Sequence, residues 1–448
     1  MHQFVIQGGF AISGEITASG NKNAALKMLP ACLLTDEPVT LHNVPDIGDV
    51  RVTTEIMSGL GAEVTWIGPG TVRVHAHNLT STVLDRALAT RIRASVVFAG
   101  PLLARSGRVT LPLPGGDSIG ERRLDTHVLA LGQLGAQIAF ENGSLTMTAS
   151  RLAGADILLS EASVTATENA IMAAVLAQGT TVIRNAASEP HVQDLCNMLV
   201  SMGAQIEGVG SNLLTITGVE RLHGAEARVG ADFMEVGSFV GAAAVTGGEL
   251  LIRDADPHYL NMVALVFERL GVIWETRGND ILVPACQRLT ITPDLGGRIP
   301  TIKAQPWPGF PPDLMSIALV IATRSAGAAL FHDWMYESRF FFTDKLVRMG
   351  ARITLCDPHR VLVQGPTSFK SVHNISSPDI RAGMAILLAA LAARGETCIS
   401  NVQQIDRGYE RVDEKLAALG ARIQRRESGV AVPLPDEAEQ SSHLTGNH

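Results

Sequence analysis

The sequence lacks several features that mark specialised classes of protein. No run approaches the roughly 20 consecutive apolar residues that a membrane helix requires, and the first residues lack the charged and apolar regions of a signal peptide. Five cysteines are scattered singly without a CxxC spacing, which argues against a metal knuckle or a redox pair. A formal net charge of −8 argues against a general nucleic-acid surface. We therefore expect a cytoplasmic globular protein with reduced thiols and with no membrane or nucleic-acid partner.

A six-fold internal repeat runs along the 448 residues, which suit two or three domains. An apolar-Gly-apolar signature recurs about every 70 residues and precedes an alternating run. Its copies are Leu60–Ala62, Leu134–Ala136, Met202–Ala204, Leu270–Val272, Met349–Ala351 and Leu419–Ala421. A second signature places a glycine between helix and strand at Gly107, Gly179, Gly247, Gly327 and Gly395. Each unit therefore predicts two helices that end at glycine C-caps, each followed by strands.

The helical runs are small, apolar and almost without a polar face, as in Ile171–Leu176 and Ala385–Leu391, so they should be buried on most sides. Runs such as Leu145–Thr148 alternate, which suits sheets with one wet face. The predicted fold class is α/β, with helices inside, sheets outside and six units in two domains of three. The boundary is expected near residues 228–232. The tail from about Asp436 lacks apolar periodicity and is expected to be disordered.

A glycine-rich segment, Pro114–His127, contains Asp117, Arg122 and Arg123 just before an apolar helical run. Paired glycines allow backbone amides to turn toward a ligand, and arginines add charge that suits phosphate or carboxylate. The segment therefore predicts a mobile loop that faces an anion. A solvated surface turn is the alternative.

Two further segments place cations where apolar helices begin. Lys22 lies between Asn21 and Asn23 at a strand-to-helix junction, which suits an anion site at a helix N-terminus. An asparagine N-cap with a solvated lysine would explain the same pattern. Arg91 and Arg93 open another apolar helix, where cations oppose the helix dipole and therefore favour a ligand or a buried carboxylate.

The second half of the chain supplies acids and arginines at similar junctions. A proline-stiffened loop delivers Asp313 to the start of an apolar helix, with an N-cap role as the alternative. Segments 335–339, 377–381 and 405–410 each carry an acid and an arginine. Structural salt bridges would explain any one of them, but their repetition favours a shared cleft. His75 and His77 share a strand face without further ligands nearby in sequence, so no metal site is expected.

Together these motifs resemble the ordered motif set of the UDP-N-acetylglucosamine 1-carboxyvinyltransferase family of enolpyruvyl transferases. The resemblance covers roughly residues 1 to 427 and rests on Ser19–Asn23, the glycine loop through Arg122, Phe310–Asp313, Glu337–Phe340, Asp379–Arg381 and Ile405–Glu410. It implies a two-domain inside-out α/β barrel whose N-terminal strand belongs to the second domain. The expected limits are 22–230 for the first domain, 1–21 plus 231–430 for the second, and 436–448 for the tail.

The resemblance also implies the reaction, in which the 3-hydroxyl of UDP-N-acetylglucosamine attacks phosphoenolpyruvate and the adduct eliminates phosphate, at the first committed step of peptidoglycan synthesis. No cofactor is expected, and a monomer is favoured. The implied catalytic residues are Asp117, Asp313, Lys22 and Arg407. The implied phosphoenolpyruvate ligands are Lys22, Asn23, Arg122 and Arg407. The implied UDP-sugar ligands are Arg93, Arg122, Arg123, Leu124, Asp125, Thr126, Ser163, Val164, Asp313 and Met335.

Three positions depart from the pattern that the family usually shows. Where Asp117 stands, the family usually has a cysteine that acts as general acid and is alkylated by fosfomycin, although an aspartate form is also known. As an acid, Asp117 would need a raised pKa, and its arginines oppose this until phosphoenolpyruvate binds. Resistance to fosfomycin is therefore expected. Gly48 and Gln404 replace a lysine and a histidine of some relatives. Two alternatives remain: a 3-phosphoshikimate 1-carboxyvinyltransferase, and an inactive regulatory paralogue that binds the UDP-sugar.

Overall fold

The computed structural model of the protein describes residues 2–116 and 123–427. Asp117, Arg122 and the tail 436–448 therefore lie outside the described residues. Buried apolar side chains form two separate hydrophobic cores. The first core draws on residues 24–229 of the chain. The second draws on residues 4–18 and 233–423, so the N-terminal strands pack with the second half. The domain limits given above stay a prediction.

The described α-helices range in length from four to fourteen residues. They are α1 (Lys22–Ala31), α2 (Gly48–Gly59), α3 (Arg86–Ala89), α4 (Ala99–Ser106), α5 (Asp125–Gln133), α6 (Val164–Ala174), α7 (Pro190–Ser201), α8 (Phe233–Thr246), α9 (Asn261–Arg269), α10 (Met315–Arg324), α11 (Thr343–Arg348), α12 (Ile380–Ala392), α13 (Gln403–Asp406) and α14 (Val412–Ala418). Short 3₁₀ helices are Cys32–Leu34, Arg93–Phe98, Pro257–Leu260 and Pro312–Leu314.

The strands are short and mostly paired in antiparallel fashion. They are β1 (His2–Gly8), β2 (Gly14–Thr17), β3 (Val39–His42), β4 (Glu63–Gly68), β5 (Thr71–His75), β6 (Arg108–Pro112), β7 (Gln137–Glu141), β8 (Ser144–Thr148), β9 (Asp156–Leu158), β10 (Thr180–Arg184), β11 (Gln205–Glu207), β12 (Leu213–Thr217), β13 (Glu226–Arg228), β14 (Leu250–Arg253), β15 (Glu275–Arg277), β16 (Asp280–Val283), β17 (Thr301–Lys303), β18 (Gly327–His332), β19 (Arg352–Asp357), β20 (Arg360–Gly365), β21 (Ile375–Ser376), β22 (Gly395–Ser400) and β23 (Arg422–Glu427).

The described strands form six sheets, which agrees in number with the sequence repeats. In the first half the strand orders are β13-β3-β5-β4, β6-β8-β7 and β11-β12-β10-β9. In the second half they are β15-β16-β14-β2, β17-β18-β20-β19 and β21-β22-β1-β23. Strand β1 pairs antiparallel with both β22 and β23, although nearly the whole chain separates them.

The longest helices of the second half are almost wholly buried. Helices α8, α10 and α12 pack against one another, and most of their side chains are Ala, Val, Leu, Ile, Met or Phe. Strands such as β20 alternate between buried and more exposed side chains, so the sheets have one wet face. The apolar helices thus lie inside and the sheets outside, as the sequence pattern predicts.

The repeat glycines terminate helices. Each of the six lies directly after the C-cap residue of α2, α5, α7, α9, α11 or α14, and each has a positive φ: Gly61, Gly135, Gly203, Gly271, Gly350 and Gly420. This conformation is one that glycine adopts without steric cost. The second signature behaves less uniformly than predicted. Gly107 and Gly247 cap helices, whereas Gly327 and Gly395 are the first residues of strands β18 and β22.

Helix ends from both halves of the chain position the candidate site. The first half contributes the N-termini of α1 and α2, and the second contributes the C-terminal end of α13, where Arg407 is the C-cap, and the 3₁₀ turn Pro312–Leu314. Within residues 2–116 and 123–427, no helix is both long enough and apolar enough to cross a membrane.

Candidate active site

Two cations predicted to bind phosphoenolpyruvate share one carboxylate. The Nζ atom of Lys22 lies 2.8 Å from Oδ2 of Asp49. The Nε atom of Arg407, from the second half of the chain, donates to Oδ1 of the same side chain at 3.0 Å. Sequence reasoning did not identify Asp49, because an acid in the first turn of a helix is usually explained by the helix dipole.

The local structure of α1 explains why Lys22 is held there. Asn21 is the N-cap, since its Oδ1 accepts from the backbone N–H of Ala24 at 3.0 Å. The alternative of an asparagine N-cap is therefore correct, but the solvated lysine that went with it is wrong. Lys22 is only 7% exposed, so its ammonium depends on Asp49 for charge compensation. Asn23 follows it in α1 and is partly buried.

Asp49 is ionised in this arrangement. Burial alone would raise its pKa, but the Lys22 ammonium and the Arg407 guanidinium outweigh burial and keep the pKa below its ordinary value. Two of the three positions that depart from the pattern, Gly48 and Gln404, lie beside Arg407. Gln404 accepts from the Arg407 Nη1 at 2.9 Å, and a Cβ built at Gly48 would lie 3.8 Å from the Arg407 Cγ. A side chain at position 48 would therefore begin in van der Waals contact with Arg407.

Asp313 lies between two buried arginines. Its Oδ1 accepts from the Arg339 Nη2 and its Oδ2 from the Arg381 Nε, each at 3.1 Å. The N-cap alternative is wrong for this residue, because the turn Pro312–Leu314 and helix α10 begin without a side-chain cap bond.

The charge state of Asp313 follows from these partners. Burial opposes ionisation, but Arg381 and Arg339 hold the pKa of the Asp313 carboxyl well below its usual range. The Lys22 ammonium adds to this effect, so Asp313 and Lys22 act on the same space between the two cores. Asp313 therefore lies within electrostatic range of the Lys22 ammonium, which suits a general base beside an anion site.

In the three acid-and-arginine segments, the arginines and the acids have different partners. Their arginines, Arg339, Arg381 and Arg407, turn to the acids of the cleft. Two of their acids have structural partners: Asp379 caps helix α12 through the amides of residues 381 and 382, and Asp406 pairs with Arg425 at 2.7 Å. Asp379 and Asp406 thus fit the structural alternative, whereas the shared cleft stays a prediction for the arginines, whose contacts are themselves ion pairs.

A second group of predicted residues surrounds a cavity of about 520 Å³. Arg93, Arg123, Leu124 and Asp125 lie on its wall with apolar neighbours that include Pro114. The Arg93 Nη2 donates to the backbone oxygen of Arg123 at 3.2 Å.

The described ends of the glycine loop also reach this cavity. Pro114 and Arg123 line it. Gly116 has φ +108°, and a Cβ there would come within 3.0 Å of the Arg93 Cβ, so only glycine packs this closely without displacing the arginine. Asp117 and Arg122, between these ends, are outside the described part of the chain.

Four other predicted ligands of the UDP-sugar do not line this cavity in the described ranges. Thr126 is buried, and its hydroxyl lies 3.1 Å from that of Ser160. Ser163 and Val164 stand at the N-terminus of α6. The Met335 N–H donates to Asp333 at 2.9 Å, beside the Asp313–Arg339 pair. They remain predictions.

The whole chain has clear relatives. The family model of EPSP synthase (3-phosphoshikimate 1-carboxyvinyltransferase) matches residues 6–435. A UDP-N-acetylglucosamine 1-carboxyvinyltransferase of Treponema denticola is 53% identical over 427 residues, covering 95% of this chain and all of that protein. One of Bradyrhizobium diazoefficiens is also 53% identical, over 94% of this chain and 98% of its own length.

Solved structures give the same answer for the fold. The enolpyruvyl transferase NikO from Streptomyces tendae has a TM-score of 0.85 at 25% identity, covering 95% of this chain and 99% of NikO. EPSP synthase from Acinetobacter baumannii has a TM-score of 0.73 at 18% identity, covering 95% of this chain and all of that one. The predicted fold class, a two-domain inside-out α/β barrel, is confirmed by these neighbours.

Proposed function

The chain belongs to the carboxyvinyltransferase family of enolpyruvyl transferases, and we propose that it transfers the enolpyruvyl group of phosphoenolpyruvate to the 3-hydroxyl of UDP-N-acetylglucosamine and releases phosphate. This is the first committed step of peptidoglycan synthesis. One observation carries the proposal within the structure: Lys22 and Arg407, from the two halves of the chain, converge on one carboxylate in the cleft that contains the ionised Asp313.

Phosphoenolpyruvate carries a phosphate and a carboxylate, so it needs several cations in a small volume. Lys22 and Arg407 supply two, and Lys22 stands at the N-terminus of α1, where backbone N–H groups also favour an anion. Arg122 and Asn23 complete the proposed set. Since Asp49 already compensates both cations, it orients them for the incoming phosphate, with which it must share them.

The proposed chemistry is addition followed by elimination. Asp313 accepts the proton of the sugar 3-hydroxyl as its oxygen bonds to C2 of phosphoenolpyruvate, and C3 gains a proton, for which Asp117 is the proposed donor. The tetrahedral adduct then loses a proton from C3 and the phosphate from C2, which restores the vinyl group. Asp313 is in the correct state for a base, because Arg381 and Arg339 keep it ionised.

The nucleotide sugar is proposed to use the 520 Å³ cavity. Arg93 and Arg123 there suit a diphosphate, and Leu124 offers apolar surface. Asp125, Thr126, Ser163, Val164 and Met335 complete the proposed set of ligands. Because the cleft combines residues from both cores, closure of the two halves around the substrates would complete the site.

The place of reaction and the assembly state are further proposals. All five cysteines are free, and Cys32 and Cys196 are buried, which suits a reducing compartment such as the cytoplasm. We propose that the chain works there as a monomer without a cofactor and without nucleic acid.

The acceptor can be tested directly. Purified protein is mixed with phosphoenolpyruvate and either UDP-N-acetylglucosamine or 3-phosphoshikimate, and phosphate release is followed, with an Asp313→Ala variant as control. Release with the nucleotide sugar alone supports the proposal. Release with 3-phosphoshikimate would favour the activity that the family model names. If neither acceptor gives phosphate release although UDP-N-acetylglucosamine binds saturably, a regulatory paralogue would be favoured.

A further inference from the structure

Two histidines and a glutamate converge at the open end of the β4–β5 hairpin. His75 is the last residue of β5, and His77 lies two positions further, so both side chains leave the same face. Glu63 is the first residue of β4 and pairs directly with His75 in the antiparallel register. The third potential ligand therefore comes from a neighbouring strand, where sequence spacing does not show it.

The three side chains face one another through their ligand atoms. His75 Nδ1 lies 3.8 Å from Glu63 Oε2, and His77 Nε2 lies 4.0 Å from Glu63 Oε1. The two imidazole rings are 4.5 Å apart between centroids. All three ligand atoms fall within 4.8 Å of one another, and the side chains are partly exposed, so an ion can reach them from solvent.

These distances are close to those that one metal ion imposes. With bonds of about 2.0–2.2 Å, two ligands of a tetrahedral zinc ion lie roughly 3.4 Å apart, so ligand atoms that lie within 4.8 Å of one another would have to approach by at most about 1.4 Å. Two neutral imidazoles and one carboxylate form a donor set that zinc and similar divalent ions prefer. We propose that Glu63, His75 and His77 form a binding site for a divalent transition-metal ion such as Zn²⁺, with water in the remaining position.

The site would act on the fold rather than on the chemistry. Helix α2 carries Asp49 in its first turn and ends at Gly59, four residues before Glu63. Twelve residues of helix span about 18 Å, so the ion would lie well away from the cleft. It would join the start of β4 to the end of β5 and so stabilise the sheet on which α2 packs.

Another cluster of the described residues is a weaker candidate. His373, Glu396 and Cys398 also bring three ligand atoms together. This cluster offers one imidazole, and its thiol must lose a proton to bind a metal, which burial opposes by raising the pKa of Cys398. A variant of this cluster therefore serves as a control for zinc binding at the second site.

The experiment is a calorimetric titration of the full-length protein with zinc sulfate at pH 7.5, together with melting curves at each zinc concentration. The variants are His75→Ala, His77→Ala and Glu63→Gln, the last of which keeps the size of the side chain. His42→Ala is the matched control, since His42 Nε2 lies 3.5 Å from Glu226 on the same sheet without a second imidazole in the pair. His373→Ala controls for the other cluster.

We expect one Zn²⁺ per chain in the wild type and in both controls, and loss of that site in each of the three variants. Zinc should raise the melting temperature of the wild type and not that of His75→Ala, because a ligand that binds only the folded state stabilises it. Absence of stoichiometric binding by the wild type would overturn the proposal. So would binding that survives in His75→Ala and His77→Ala, or that disappears in His373→Ala or His42→Ala.

Discussion

The Nε atom of Arg407 lies 3.0 Å from Oδ1 of Asp49, and this ion pair joins the two halves of the protein. Asp49 lies among residues of the first core and Arg407 among residues of the second. Because the other oxygen of Asp49 binds Lys22, one carboxylate sets the positions of both cations proposed to bind phosphoenolpyruvate. The two cations of the proposed anion site are thus already held together across the two halves by Asp49.

Removal of this carboxylate should be costly. Asp49→Ala leaves the buried Lys22 ammonium without its partner, and loss of one member of a buried pair typically lowers the free energy of unfolding by about 3 kcal/mol or more. Urea denaturation measures the change. Inorganic phosphate should offset part of the loss, since a bound anion would compensate the same cations.

The control for this prediction is Asp46→Ala. Asp46 pairs with Arg51 at 2.6 Å, but both side chains are well exposed, so the loss should be below about 1 kcal/mol. Equal losses in the two variants would contradict the role given to Asp49.

The Asp313→Asn variant tests the proposed base. The amide keeps the shape of the side chain but cannot accept the hydroxyl proton, so we expect kcat to fall about 10²- to 10⁴-fold while UDP-N-acetylglucosamine still binds. Asp344→Asn, an exposed acid of the same half, should leave kcat unchanged. Steady-state kinetics and calorimetry separate the two effects, and a loss of less than about tenfold would remove Asp313 from the base role.

The same residue makes a prediction for pH. The base must be ionised, and the pKa of Asp313 lies well below its usual value because of Arg381 and Arg339 despite burial. Protonation of Asp313 in the free enzyme should therefore cause no loss of kcat/KM above about pH 4. An acid limb near pH 5 or 6 that disappears in Asp313→Asn would contradict this.

Much of the fold could be predicted because its signals are local. Each repeat glycine ends its helix in a conformation that suits glycine, so Gly61 and Gly420 reveal the same structure far apart in the chain. The cleft was only partly predictable. Asp49 and Arg407 are 358 positions apart, and no local pattern links them. Glu63 was missed as a partner of His75 for a related reason, since strand register brings them together.

A buried ion pair between helices α1 and α6 allows a test of how charge and packing contribute to stability. Lys27 Nζ lies 3.6 Å from Glu168 Oε2, with side chains 4% and 0% exposed, and Glu168 has no hydrogen-bond partner among the described residues. Burial raises the pKa of Glu168 to about 8, although Lys27 opposes the rise. At pH 9, where Glu168 is ionised, we expect Glu168→Ala alone to lower the unfolding free energy by about 3–5 kcal/mol, because it leaves the buried Lys27 without this partner.

The double variant Lys27→Met with Glu168→Leu separates charge from packing. Since apolar residues of similar volume remove the desolvation cost of both charges, its stability should be equal to or above that of the wild type. Urea denaturation of both variants measures this. A double variant as unstable as Glu168→Ala would mean that the ion pair itself stabilises the core.

His127 should make stability fall in weak acid. Its Nδ1 accepts from the Asn169 side-chain amide at 2.9 Å, so Nε2 carries the proton and donates to Thr165 at 3.0 Å. Burial, with a smaller effect of Arg93, lowers the pKa of His127 to about 3. The unfolded chain therefore binds one more proton than the folded protein between about pH 6.5 and pH 3.

Stability from this group is thus fully present above about pH 6.5 and is lost as the pH falls, by up to about 1.4 kcal/mol per pH unit. His127→Gln, which has no titrating ring, should show a shallower loss between pH 6.5 and pH 4. Urea denaturation across this range measures the slopes. Equal slopes would show that the folded protein accommodates a protonated His127.

Fosfomycin should leave the protein active, and Asp117→Cys should make it sensitive. The resemblance described above implies that this drug alkylates a cysteine at the position of Asp117: a thiolate attacks an epoxide carbon and forms a C–S bond while a ring C–O bond breaks, and the released oxygen becomes a hydroxyl. A carboxylate is a much weaker nucleophile toward such a carbon, so the wild type should retain its phosphate-release activity after incubation.

Asp117→Cys should lose activity with one drug molecule bound per chain, which mass spectrometry can count. The wild type is its own control for other thiols, because Cys286 and Cys356 are already exposed in it. Rapid stoichiometric inactivation of the wild type would contradict the prediction, because the wild type has Asp117 and no cysteine at that position.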